Sequence, residues 1–102
     1  MASKQKRLRT ARKKRRVATA TLDRLEAGEL DLVTLLRKRP ASIAPVRIYT
    51  LIHRAPHMGE KGTKECLVKA KVYALTRVGD LLDSDVDRII RHLPARARRD
   101  MM

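Results

Sequence analysis

Apolar side chains recur along this chain in five blocks spaced mainly by three or four residues, and nothing alternates with period two over a useful length. Such spacing lines one face of a helix, and it predicts an all-α fold of about five helices. Ala18, Leu22 and Leu25 form the first stripe, on a helix running from about Lys4 to Ala27. Ser3 is its candidate N-cap and Gly28 its candidate C-cap. Leu32, Leu35 and Leu36 mark a short second helix stopped by Pro40. The third, over about 44–54, carries Ile48, Leu51 and Ile52, with Pro45 in its first turn and Arg47 and Arg54 on other faces. A fourth helix from about Glu60 to Lys71 turns Cys66, Leu67 and Ala70 inward. After a connection anchored by Val78, Leu81 and Leu82, a fifth over about 85–92 buries Val86, Ile89 and Ile90 and ends before Pro94. "SDVD" at 84–87 has capping-box spacing, with early acids that suit the positive end of the helix dipole.

One break in this pattern raises a chemical question. "PHMGEKGTKE" (56–65) puts a proline, two glycines and two lysines between apolar runs, so it reads as a short connection entering the fourth helix. A helix entered through a glycine turn points its first free N–H groups outward, where they and the dipole attract an anion. Met58 would anchor the turn, and Gly59 would let backbone approach a phosphate. Lys61 and Lys64, three apart, add charge on one helix face.

Charge strengthens that reading. The 102 residues carry 25 Lys+Arg against 11 Asp+Glu, a formal net charge of +14. Residues 1–16 hold nine basic side chains (Lys4, Lys6, Arg7, Arg9, Arg12, Lys13, Lys14, Arg15 and Arg16) and no acid. They repel one another and sit at the positive end of a helix dipole, so this arm is expected to fray in solution and become helical against phosphates. Residues 17–94 are nearly balanced and form one small domain; residues 95–102 are a short basic tail. Basic ends around a balanced centre point to a polyanion, nucleic acid first. A membrane surface fits less well, because Leu8 is the one large aliphatic side chain in residues 1–16.

The remaining chemistry is sparse. Cys66 stands alone, which suits a reducing cytoplasm and a core position. His53, His57 and His92 lack metal-ligand spacing, so neither metal nor cofactor is expected. With Tyr49 and Tyr73 as the only aromatics besides histidine, stacking platforms for single strands are scarce, and a duplex or folded RNA is favoured. No apolar run is long enough to span a bilayer, and no secretion signal follows the basic start.

The stretch from Ile43 to Ile90 resembles the actinobacterial integration host factor family without a gap. The matching elements are Arg47 before an apolar helix, the Pro56-x-Met58-Gly59 turn and the Thr76–Arg77 pair, besides the long basic N-terminal helix. The resemblance covers about residues 17–93. It implies an all-α protein with a helix–two-turns–helix module related to ribosomal protein S13. It also implies duplex DNA as partner, bound with little sequence preference and bent or compacted, with assistance to a site-specific recombinase. The expected setting is the cytoplasmic nucleoid, the expected state a monomer. The chain departs from the family where Glu60 replaces a lysine, Gly62 a basic residue, and Gly79 and Asp80 part of an arginine cluster.

The expected DNA-contacting residues are therefore the nine basic side chains of the arm together with Arg47, Gly59, Lys61, Gly62, Lys64 and Arg77. "RVGDLLDSDVDRIIRHL" is similar to ribosomal protein S13, which makes structured RNA the alternative partner. That family's glycine-rich opening is missing, and the densest basic block is at the other end. No nucleophile is paired with a base, so no enzyme is expected.

Overall fold

The computed structural model describes residues 16–95 and 97. The arm at 1–15 and residues 96 and 98–102 lie outside the described residues. Five α-helices are present and no strand is formed among the described residues: α1 (residues 16–26), α2 (Leu32–Lys38), α3 (Ile48–Arg54), α4 (Gly59–Ala70) and α5 (Asp83–His92). Single 3₁₀ turns at Ala41–Ile43 and Val78–Asp80 complete the chain path. The all-α fold is as the spacing predicts.

The first helix ends as its glycine suggests. Gly28 takes φ +81°, its N–H donates to Leu25 C=O, and Glu29 N–H donates to Arg24 C=O. This bond pair satisfies two carbonyls that the helix end leaves free. Asp31 then caps α2 by accepting from Thr34 N–H (3.1 Å) and from its hydroxyl (2.9 Å). Arg39 closes α2 in a left-handed conformation, and its guanidinium reaches Asp83 at the start of α5 (2.5 Å).

The five stripes converge on one core. Leu25, Leu36, Ile43, Ile48, Leu51, Ile52 and Ile89 are wholly buried, joined by Leu22, Leu35, Met58, Leu67, Val78, Val86 and Ala97. Two sequence expectations of burial fail. Ile90 is half-buried, and Leu82 is 66% exposed because Leu81 beside it occupies the core.

Two element boundaries also change. The third helix begins at Ile48, not at about 44, and Pro45 lies in the irregular turn before it. The cause is tertiary: residues 44–48 spend their backbone groups on the 76–79 segment, described below, rather than on a helical turn. The fifth helix starts at Asp83, two residues before the expected position. Its N-terminal brace is Asp85, which accepts from Leu82 N–H (2.9 Å), so the expected Ser84–Asp87 box does not form. The α4–α5 pair is closed by Arg88, which donates to Ala70 C=O at the end of α4 (2.9 Å) and pairs with Asp85. The Cys66 thiol points at Ile89 C=O (3.5 Å), and its burial raises its pKa to about 11.

Candidate nucleic-acid interface

Arg47 and Arg77 come from segments thirty residues apart in sequence, yet they face each other in an isolated antiparallel bridge. Ile48 N–H donates to Thr76 C=O (2.7 Å) and Val78 N–H to Val46 C=O (2.8 Å), so the two arginines form the pair between these bonds. Opposed residues of that kind stand closest in an antiparallel ladder, with side chains on the same side. Ile48 and Val78, both wholly buried, pin the two short segments to the core. Each arginine is exposed, and neither has a carboxylate within ion-pair distance among the described residues. Like charges placed directly opposite are unfavourable unless an anion sits between or beside them.

The bridge also explains a departure noted in the sequence. Gly79 N–H donates to Ala44 C=O (3.0 Å), and a Cβ at Gly79 would lie 3.0 Å from the Ala44 Cβ. A side chain at 79 would require Ala44 to shift by a few tenths of an ångström. Glycine fits this close approach without any shift of Ala44.

The turn into α4 is built as a second anion-attracting feature. Ala55 and Met58 are buried, while His57 (φ +69°) and Gly59 (φ +65°) flank the right-handed Met58. Alternating hands of this kind gather successive N–H groups on one side of the backbone. No side chain caps α4, and no hydrogen bond among the described residues takes up the N–H groups of Gly59, Glu60 or Lys61. Gly59 is needed here for its φ rather than for room, since a Cβ there would meet nothing within 4 Å. Gly62 is half-buried, and a Cβ there would meet the Met58 Cε at 3.8 Å, an ordinary contact, so packing does not demand glycine at this position.

Lys61 and Lys64 are both exposed, but they are not equivalent. Lys64 pairs with Glu60 one turn earlier (3.0 Å); that hydrogen bond lowers the Glu60 pKa and raises that of Lys64. Lys61 has no carboxylate partner among the described residues. Arg16, the one arm residue described, is exposed in the first helical residues of α1. Lys4, Lys6, Arg7, Arg9, Arg12, Lys13, Lys14 and Arg15 lie outside the described residues.

Three further features enter only with the fold. Thr63 is wholly buried and donates to Gly59 C=O (2.6 Å), bracing the turn from inside. Arg54, a basic residue resembling the others in sequence, is instead spent on structure: it pairs with Asp23 (2.5 Å) and Glu26 (3.1 Å) and ties α1 to α3. Tyr49 and His53 stack on the outer face of α3, ring centroids 5.6 Å apart. The i, i+4 spacing of the last pair was a usable signal. Those of Thr63 and Arg54 were not, because nothing local tells a buried threonine or a paired arginine from an exposed one.

The architecture is a small all-α one in which a helix pair and its turns present basic side chains and free amides. It is similar to a solved structure, that of sIHF bound to an 8bp palindromic DNA, with a TM-score of 0.73 over 84% of this chain and 99% of that one. The sequence identity is 17%, so the likeness is one of fold. No protein-family model matches the chain. No curated protein matches it by sequence. Among the described residues no helix is long and apolar enough to cross a membrane.

Proposed function

We propose that this protein binds duplex DNA through its phosphates, with low sequence preference, as an architectural protein of the actinobacterial integration host factor type. The reading rests on one observation above all: Arg47 and Arg77 are held opposite each other with no acidic partner among the described residues. Two cations fixed within reach of each other suit the regular phosphates of a backbone. The open amides of Gly59, Glu60 and Lys61 supply a further phosphate seat at the far end of the α3–α4 pair. The resemblance of residues 43–90 and the shared fold with a DNA-bound protein support the same partner.

In this reading the basic arm at 1–16 tracks the duplex while the bridge and the turn hold it, and the two surfaces together bend or bridge DNA. The protein is a nucleoid-associated, non-catalytic component of the cytoplasm, and its bend assists a site-specific recombinase. Its helix–two-turns–helix module is the one related to ribosomal protein S13.

The test is fluorescence anisotropy on a duplex, a single strand and an RNA hairpin of equal length at several salt concentrations. The duplex is expected to bind most tightly, and the logarithm of affinity to fall steeply and linearly with the logarithm of salt. Tighter binding of the hairpin would replace this reading with the ribosomal one.

A further inference from the structure

The bridge that positions Arg77 also fixes the residues just before it. Residues 73–76 form a β-turn, closed by Thr76 N–H donating to Tyr73 C=O (3.0 Å). The carbonyls of Ala74 and Thr76 accept from Tyr49 N–H (3.1 Å) and Ile48 N–H (2.7 Å), the first two N–H groups of α3. The turn is thus fastened to the start of α3 on both sides of its tip. From this held segment two large side chains project: Tyr73, 70% exposed, and Leu75, 48% exposed, the latter at the third position of the turn.

A single exposed leucine means little by itself. Leu75, however, lies two residues from an arginine that faces a second arginine across the bridge. A cation pair beside an apolar tip on rigid backbone is the arrangement that deforms a duplex. The charges draw the segment onto the phosphates, and the tip enters the groove between them and partly unstacks a base step. Rigidity matters because unstacking opposes entry, and a loose turn would retreat instead. Leu82 is comparably exposed but follows Asp80 and stands where Asp83 and Asp85 already hold Arg39 and Arg88, so the neighbouring cations are paired and do not draw a backbone in.

We infer that Leu75 is a wedge that enters the minor groove of duplex DNA at a deformable pyrimidine–purine step, with Arg47 and Arg77 on the flanking phosphates. This rests on the duplex binding proposed above and adds a residue that sets where and how far the duplex bends. Sequence preference would then come from the cost of opening the step rather than from hydrogen bonds to bases.

The experiment uses the full chain and a short duplex carrying 2-aminopurine at a central TA step and a fluorophore pair at its ends. The unaltered protein is expected to raise the 2-aminopurine signal and bring the ends together. Leu75→Ala is expected to bind with the same salt slope, because no counterion-releasing contact is lost, at about tenfold lower affinity. It should lose both the signal and the approach of the ends, and Leu75→Met should restore them. Unchanged 2-aminopurine signal and end-to-end distance in Leu75→Ala would overturn the wedge while leaving duplex binding intact. So would a change confined to the sedimentation coefficient, which would make the turn a contact between copies of this chain. Failure of the unaltered protein to bind the duplex at all would overturn the duplex reading itself, and the wedge with it.

Discussion

Gly59 carries a positive φ in open space, so its requirement is conformational and its substitution separates strain from bulk. Gly59→Ala is expected to lower stability by about 1 kcal/mol, the cost of a Cβ in that region. Gly59→Val should cost more and also weaken duplex binding, since a branched side chain shields the amides at the turn. Urea titration and anisotropy on the same samples check the two effects. Cys66 gives a pH-dependent counterpart. Its pKa is raised from 9.0 to about 11 by burial, so the folded state holds the proton more tightly than the unfolded one. That contribution is fully present below pH 9.0 and is lost as pH rises toward about 11. The loss is on the order of 2–3 kcal/mol. Comparing unfolding midpoints of the native protein and Cys66→Ala between pH 8 and pH 11 isolates it: the difference between them should change over that window and nowhere below it.

At the level of elements, the Arg47–Arg77 bridge trades stability for binding. Arg77→Gln removes a like-charge opposition and is expected to stabilise the fold by roughly 0.2–0.5 kcal/mol. It should also reduce the salt slope of duplex binding by about one unit. Stability and affinity moving in opposite directions is the signature of a functional pair; both falling together would mark the arginine as structural. The α4 entry behaves differently. Because Glu60 neutralises Lys64 locally, Glu60→Gln should tighten duplex binding and steepen its salt dependence, and Glu60→Lys should do so more strongly. Both acids that hold Arg54 lie on α1, so Arg54→Ala is expected to loosen α1 from α3 and to lower the melting temperature without altering the slope.

The whole molecule combines a nearly balanced domain with an excess of charge at its ends. The acids of the α5 start are consumed internally, by Arg39, Arg37 and Arg88, which leaves that corner close to neutral. The bridge and the α4 entry keep unpaired cations instead. Deleting residues 1–16 removes nine positive charges and few apolar contacts, so the shortened protein should keep its helical circular dichroism. Its duplex binding should lose several units of salt slope, since each phosphate contact contributes about 0.9. Equal slopes for the two proteins would leave the domain as the whole of the contact surface.

Hydrophobic spacing alone determined most of the fold, because a 3.6-residue period is a property of neighbours in sequence. Ala18, Leu22, Leu25, Ile48, Leu51, Ile52, Cys66, Leu67, Ala70, Val86 and Ile89 are all buried where the stripes put them. Gly28 was legible for a similar reason, since a positive φ is a local demand that glycine meets cheaply. Gly59 was legible as a turn glycine, but for room to approach a phosphate, whereas the structure needs it for its φ. Tertiary structure decided what depends on residues far apart. It moved the start of α3 to Ile48 because 44–48 bonds to 76–79, and it turned Leu82 outward because Leu81 fills the core. It also sorted chemically identical cations. Arg54 is drawn into a clamp by two carboxylates of α1. Arg47 and Arg77, thirty residues apart, are brought face to face by backbone hydrogen bonds that no sequence interval announces. A charge is visible in the sequence; its partner, which decides whether it is free to meet a phosphate, is fixed only by the fold.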